Sequence, residues 1–263
     1  MRALYFACIA AVAVPVLCAQ TASVHDLISS ARQQIESADY RNSGELISVQ
    51  PGGERTSLPI TIKAHWFPGV LRELVEIGKP PKPGPDAAAD TRPAIHVLLE
   101  LRPSGQSSIW IAHPGDKSPV ALPFEKWSSG PLGPGFSYED LLEQQFFWPG
   151  QVSEGEAKFG ARDCEVVKST PGPSDKTHYS AVKTWFDPTI EFPVYVEKTL
   201  KDAGAVKEFT SFGIRHDEGV WSAHQIEVKI RGQEGSTLLI IDRGSPKANL
   251  TLGDFALAQL THF

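Results

Sequence analysis

From about residue 57 onwards the apolar side chains of this chain fall at every second position. In residues 57–66, SLPITIKAHW, Leu58, Ile60, Ile62, Ala64 and Trp66 share one face, and Ser57, Thr61, Lys63 and His65 the other. Residues 94–102 repeat the alternation with Ile95, Val97, Leu99 and Leu101, and residues 223–231 repeat it with Ile226, Val228 and Ile230. A period of two with one apolar face marks a strand lying on a core. Further strands are predicted at 70–77, 107–112, 118–122, 161–168, 179–186, 192–200, 205–213 and 236–242. Residues 23–38 differ: Val24, Leu27, Ile28, Ala31 and Ile35 recur at helical spacing, and Ser23 with Asp26 forms a helix-starting cap. The breaks between strands carry turn residues such as Asp187-Pro188, Asp217-Glu218-Gly219 and Gln233-Glu234-Gly235. Connections this short join antiparallel neighbours. No strand–helix–strand rhythm appears, so the class expected is α+β, mainly β, built on a large antiparallel sheet.

Residues 78–93, GKPPKPGPDAAADTRP, are too rich in proline and glycine for a strand or helix interior. They read as a long loop within one sheet, with a domain linker as the alternative. Residues 1–19 have one basic residue (Arg2), then an apolar run ending Leu17-Cys18-Ala19, the layout of an export signal cleaved after Ala19. A lipid-modified Cys18 is the rival reading, disfavoured by the large Leu17 before it. Residues 20–263 are then expected as one domain, exported to the periplasm, with outer-membrane association open.

Composition narrows the function classes. Without the signal the chain has 24 basic residues (25 less Arg2) against 31 acidic ones, a net −7, and no basic cluster. Nucleic acid is therefore not an expected partner. Cys164 alone remains of three cysteines, so no intrachain disulfide is expected. The common catalytic motifs are missing: no GxSxG, HExxH, phosphate loop or dinucleotide fingerprint. The eight histidines have no metal-binding spacing and read as scattered surface residues. Cys164 alternates as an ordinary strand residue between Asp163 and Glu165. No catalytic residue, metal or cofactor is assigned.

The stretch GPGFSYEDLLEQQFFWPG, residues 133–150, reads as one short helix fenced by glycine and proline. Ser137 is its N-cap and Asp140 the carboxylate that reaches back to it, with Phe136 and Leu141 placed as a hydrophobic staple. Glu139 and Asp140 also suit the positive end of the helix dipole. The acids are thus helix-starting devices, while Leu142 and Phe146 lie on an apolar side that must cover something.

Those same residues resemble the outer-membrane lipoprotein-sorting proteins of the LolA-like superfamily. That family's Gly-x-x-Phe-Ser-Tyr-Glu-Asp-Leu segment is matched by Gly133 and Phe136–Leu141, and its Cys-x-Val-Val strand by Cys164–Val167 with Thr170-Pro171. Trp185-Phe186-Asp187, Pro193 to Glu197, a Gly…Lys-x-Phe-Thr hairpin at Gly204 and Lys207–Thr210, and an ending at Leu250 to Phe255 follow in order. A turn at Trp66, Pro68, Gly69 and Arg72 agrees in layout. The resemblance implies an unclosed half-barrel whose concave apolar side is covered by helices and holds the acyl chain of a lipid or lipoprotein. The lipoprotein carriers place an arginine just before the turn proline as a partner for the lid; here that place is Phe67.

Candidate lining residues on this view are Leu58, Ile60, Ile62, Trp66, Ile95, Val97, Leu99, Ile226 and Val228 from the sheet, with Leu141 and Phe146 from the helix. The same residues could equally form a dry core. The leading expectation is a non-enzymatic, monomeric periplasmic carrier of lipid or lipoprotein acyl chains, with an inner- or outer-membrane protein as a further partner. A sensor or interaction module of the same fold and an exported enzyme are the alternatives.

Overall fold

The computed structural model describes residues 23–78, 94–103, 105–130, 132–202 and 204–263. The expected export signal and nearly all of the Pro-rich stretch fall outside these residues. Helix α1 spans Val24–Glu36. Its capping box is the one predicted, Ser23 and Asp26 each bonding the other's backbone, and Leu27, Ile28, Ala31 and Ile35 form its buried stripe.

Thirteen strands follow: β1 (Asp39–Val49), β2 (Arg55–Phe67), β3 (Val70–Ile77), β4 (Ile95–Leu101), β5 (Ser108–Ala112), β6 (Val120–Ala121), β7 (Gly150–Phe159), β8 (Arg162–Thr170), β9 (Tyr179–Asp187), β10 (Phe192–Leu200), β11 (Val206–Asp217), β12 (Val220–Ile230) and β13 (Ser236–Ser245). They make one sheet in the order β6-β5-β4-β3-β2-β1-β13-β12-β11-β10-β9-β8-β7, with antiparallel pairing throughout. β6 and β7 are its two edges, so the sheet is an unclosed half-barrel. On either side of residues 79–93, β3 and β4 are direct neighbours, with Ile77 opposite Ile95.

Two strands escape the alternation rule. β1 puts Tyr40, Asn42, Gly44, Leu46 and Ser48 on the covered face, mostly polar or small residues, and its register shifts at Ser43/Gly44. Gly44 is required there, because a Cβ would collide with the Ile240 carbonyl across the bulge. β7 is an edge strand carrying Glu154, Glu156 and Lys158, and its register also shifts, at Ser153/Gly155. Charge and a bulge on an edge prevent pairing with other chains.

The two faces of the sheet are covered differently. The concave face carries the main core, in which α1 and the β6–β7 connection pack on β1–β5, β8, β9, β12 and β13. The convex face of β3–β5 is covered by the C-terminal segment, where Leu250, Phe255 and Leu260 pack on Leu74, Leu98 and Ala112. His96 belongs to that contact: it is buried, its Nδ1 lies 2.9 Å from the Leu260 carbonyl, and it stacks on Phe263 at 3.9 Å. The expectation of surface histidines fails for this residue.

Candidate functional site

The concave face and its cover form the candidate site. The cover is α1 together with residues 122–148, the connection between the two edge strands. Its second half is not the single helix read from the sequence. It is two 3-10 turns, Tyr138–Leu141 and Gln144–Phe147, broken where Leu142 turns extended at ψ 112°. The break comes from polar anchoring, which fixes the chain on both sides of it.

Asp140 is the first anchor. Its carboxylate accepts from the backbone and hydroxyl of Ser137 at 2.8 and 2.7 Å, completing the predicted capping box. It also accepts from the Tyr179 hydroxyl at 2.5 Å and from Lys207 Nζ at 2.7 Å, with Lys198 Nζ at 3.5 Å. Burial alone would raise this carboxyl; Lys198 and Lys207 outweigh burial and hold it below the usual carboxylate range. Glu139 is the second anchor. It is fully buried and accepts from Thr177 Oγ1 (2.6 Å), the His178 backbone (2.9 Å), His178 Nδ1 (2.7 Å) and Gln144 Nε2 (3.3 Å). The expectation of acids that only start a helix is therefore too small: both are buried ties, Asp140 to the sheet and Glu139 to the segment that leads into β9. Lys198 and Lys207, which sequence reasoning missed as site residues, are directly opposite each other on β10 and β11. Their signal was the Gly…Lys-x-Phe-Thr match, whose lysine is Lys207.

Gly133 of the same motif threads close to β1 and β13. Its φ is +124°, and a Cβ would collide with the hydroxyls of Ser48 and Thr237. Thr237 Oγ1 donates to the Pro134 carbonyl at 2.9 Å beside it. At the far end Arg32 of α1 donates through Nε to the Phe146 carbonyl at 2.5 Å and lies over the Phe147 ring, which in turn stacks on Trp66.

Nine of the eleven predicted lining residues lie on the sheet beneath this cover, Leu141 and Phe146 belong to the cover, and all eleven fall in one continuous cluster. Ile60, Ile62, Ile95, Val97, Leu99, Phe146 and Val228 are buried, whereas Leu58, Trp66, Leu141 and Ile226 keep part of their surface open. Besides Asn42 and Ser48 of β1 and the two anchored lysines, three polar groups bear on the apolar face. Tyr40, Ala64 and Glu73 are successive cross-strand neighbours on β1, β2 and β3, with the small, fully buried Ala64 between the two long side chains. Glu143, at the break between the 3-10 turns, acts on both. Burial first, and Glu143 second, push the Glu73 carboxyl up to about 8. Burial likewise raises Glu143, against Lys198, although Glu143 is solvent-exposed.

Two open cavities lie on the opposite, convex side. One of about 460 Å³ is lined by Arg41, Ser43, Thr61, Lys63, Glu76, Arg243, Gly244 and Ser245, and one of about 210 Å³ lies beneath Phe255, Ala256 and Leu257. Neither touches the eleven lining residues, and the larger is polar, unlike a pocket for an acyl chain. Phe67 also faces that side: it meets Phe255 edge-on at 5.7 Å and takes the Arg72 guanidinium at 5.8 Å, so its work is to hold the C-terminal segment. Cys164 is buried on the convex face with its thiol raised by burial, the opposite of an activated nucleophile. No cluster of three or more histidine, cysteine or acidic side chains able to hold a metal occurs among the described residues.

A family model described as an uncharacterized protein matches residues 95–262. The chain belongs to that family. A DUF1329 family protein from Desulfovibrio piger superposes with a TM-score of 0.78 at 16% identity, over 90% of this chain and 97% of that one. A domain from Vibrio parahaemolyticus described as an outer membrane lipoprotein-sorting protein gives 0.75 at 18% identity, over 91% and 100%. A LolA superfamily protein from Nitrosomonas europaea gives 0.60 at 13% identity, over 89% and 99%. The fold is LolA-like, as the motif matches implied. No curated protein matches the sequence. No helix among the described residues is long and apolar enough to cross a membrane.

Proposed function

We propose that this protein is a non-enzymatic binding protein for acyl chains of lipids or lipoproteins, working in the periplasm and delivering or receiving its cargo at a membrane. The observation that carries the proposal is the continuity of one apolar surface, from Val97 and Leu99 across Leu58 and Trp66 to Val228, beneath a cover of short 3-10 turns and one helix. Short turns tied at a few points open more cheaply than strands do. The LolA-like fold and the likeness to a lipoprotein-sorting domain support the same reading.

The energetics require the cover to move. Burying an acyl chain gains about 0.8 kcal/mol per methylene, on the order of 12 kcal/mol gross for a chain of about sixteen carbons. A face permanently open would never release such a ligand. Closure of the cover on the empty face competes with the ligand, since Leu141 and Phe146 occupy the surface the chain would take. In this mechanism no side chain does bond chemistry: the apolar face binds, and the anchors at Asp140, Glu139 and Arg32 set how far and how easily the cover lifts.

Native mass spectrometry of the exported protein, purified without detergent, tests the proposal together with titration of fluorescent acyl probes. Co-purifying acyl species and saturable probe binding are expected. A protein that carries no lipid and binds no probe, yet forms a stable complex with a protein partner, would instead be an interaction module.

A further inference from the structure

Two of the buried acids at the concave face are treated in opposite ways. Asp140 is matched by two lysines, a serine and a tyrosine. Glu73 is 9% exposed and sits among Leu71, Val75 and Leu99, and its carboxyl has no hydrogen-bond or ion-pair partner among the described residues. Tyr40 is half-buried and Glu143 exposed; neither side chain makes a hydrogen bond among the described residues, and the charge of Glu143 acts on Glu73. A buried polar group left without a partner is costly, and natural folds rarely keep one for stability. Lys198, whose charge reaches Glu143, is itself engaged at Asp140.

Position adds direction to the chemistry. Glu73 lies on the apolar floor, one strand from Ala64 and two from Tyr40, and neighbouring strands stand about 4.8 Å apart. The small side chain of Ala64 lies between Tyr40 and Glu73 on that floor. Glu143 stands at the solvent end, in the break of the cover. A chain lying on Val97 and Leu99, next to Glu73 on the neighbouring strand, would thus meet these oxygen atoms at one end of its path.

We propose that Tyr40, Glu73 and Glu143 form the headgroup end of the acyl-binding face and select amphiphiles whose polar end donates hydrogen bonds or carries a positive charge. This rests on the acyl-binding reading above and adds to it a class of headgroup: amines, amides and hydroxyls are accepted, and free carboxylates are rejected by the two acids.

The test is a titration at pH 8 of the full chain with dodecylamine, dodecanol and dodecanoate, each competing against one fluorescent acyl probe. Wild type is expected to bind the amine at least ~10-fold tighter than the carboxylate, a difference of about 1.4 kcal/mol, with the alcohol between them. Glu73→Gln is expected to bring that ratio to within about three-fold while leaving the alcohol's affinity unchanged within a similar factor. Glu143→Gln, at the solvent edge where folding does not depend on the carboxyl, is expected to lower the ratio in the same direction. An amine-to-carboxylate ratio that stays the same in both variants overturns the headgroup assignment, as does a wild type that prefers the carboxylate. Binding of dodecanol without any charge preference would sink the headgroup assignment alone, whereas failure of all three amphiphiles to compete would sink the acyl-binding reading itself.

Discussion

Lys207 holds its ammonium nitrogen 2.7 Å from the Asp140 carboxylate, and both side chains are buried on the concave face. Lys198 stands directly opposite Lys207, its ammonium 3.5 Å from the same carboxylate. Two like charges side by side in a protein interior are tolerable only because one carboxylate of the cover lies between them. The cover and the β10–β11 hairpin are thus mutually dependent.

Asp140→Asn removes that compensation without changing shape. Breaking a buried pair leaves uncompensated charge, and a loss of about 3–5 kcal/mol is expected in urea unfolding. The pH dependence has a definite sign. The folded-state carboxyl titrates below its ordinary value of 3.8, so its stabilisation is complete above about pH 4 and lost as pH falls through the lower, folded-state value. Wild type should lose stability steeply in that acid range, and Asp140→Asn much less.

Glu73 has the opposite sign. Its carboxyl is raised from 4.5 to about 8 in the folded protein, so the unfolded chain ionises first and stability falls as pH rises between those values. Each unit of that interval is worth about 1.4 kcal/mol at most. Glu73→Gln should therefore equal wild type near pH 4 and exceed it by a few kcal/mol at pH 8, read from denaturation midpoints at the two pH values.

Arg32→Ala removes the hydrogen bond from α1 to the Phe146 carbonyl and the cation over Phe147. One such bond contributes about 1 kcal/mol, so opening of the cover should become roughly five-fold easier. Hydrogen exchange confined to residues 141–148, and faster uptake of an acyl probe, would report it. Unchanged exchange there would show that α1 does not restrain the cover.

Phe255→Ala strikes the convex side. The ring is 1% exposed and packs edge-on to Phe67, so a loss of about 3–5 kcal/mol is expected in thermal or urea unfolding. Acyl-probe affinity, measured where the variant remains folded, should be unchanged, because Phe67 and Phe255 face away from the concave side. A large loss of affinity would place the binding surface on the wrong face.

Much of this architecture is legible in the chain itself. Alternation in Leu58–Trp66, Ile95–Leu101 and Ile226–Ile230 marked the strands and the face each one buries, because side chains of a strand point alternately to opposite sides. Ser23 with Asp26 and Ser137 with Asp140 marked two helical starts, because a cap is chemistry local to four residues. β1 and β7 stayed hidden. One needs Gly44 and small polar residues to bulge past β13, and the other is a charged edge, so neither shows an apolar period.

What tertiary structure alone decided is the use of the charged groups. Lys198 and Lys207 share one hairpin, but Asp140 lies 58 residues before Lys198, and nothing local around Asp140 tells of either lysine. Glu73 falls at an apolar position of its strand, between Leu71 and Val75, but only the cover above the sheet makes it a buried carboxyl. Periodicity depends on nearest neighbours and is written along the sequence. The environment of a charge depends on everything that folds around it, and that is settled only when the sheet closes under residues 122–148.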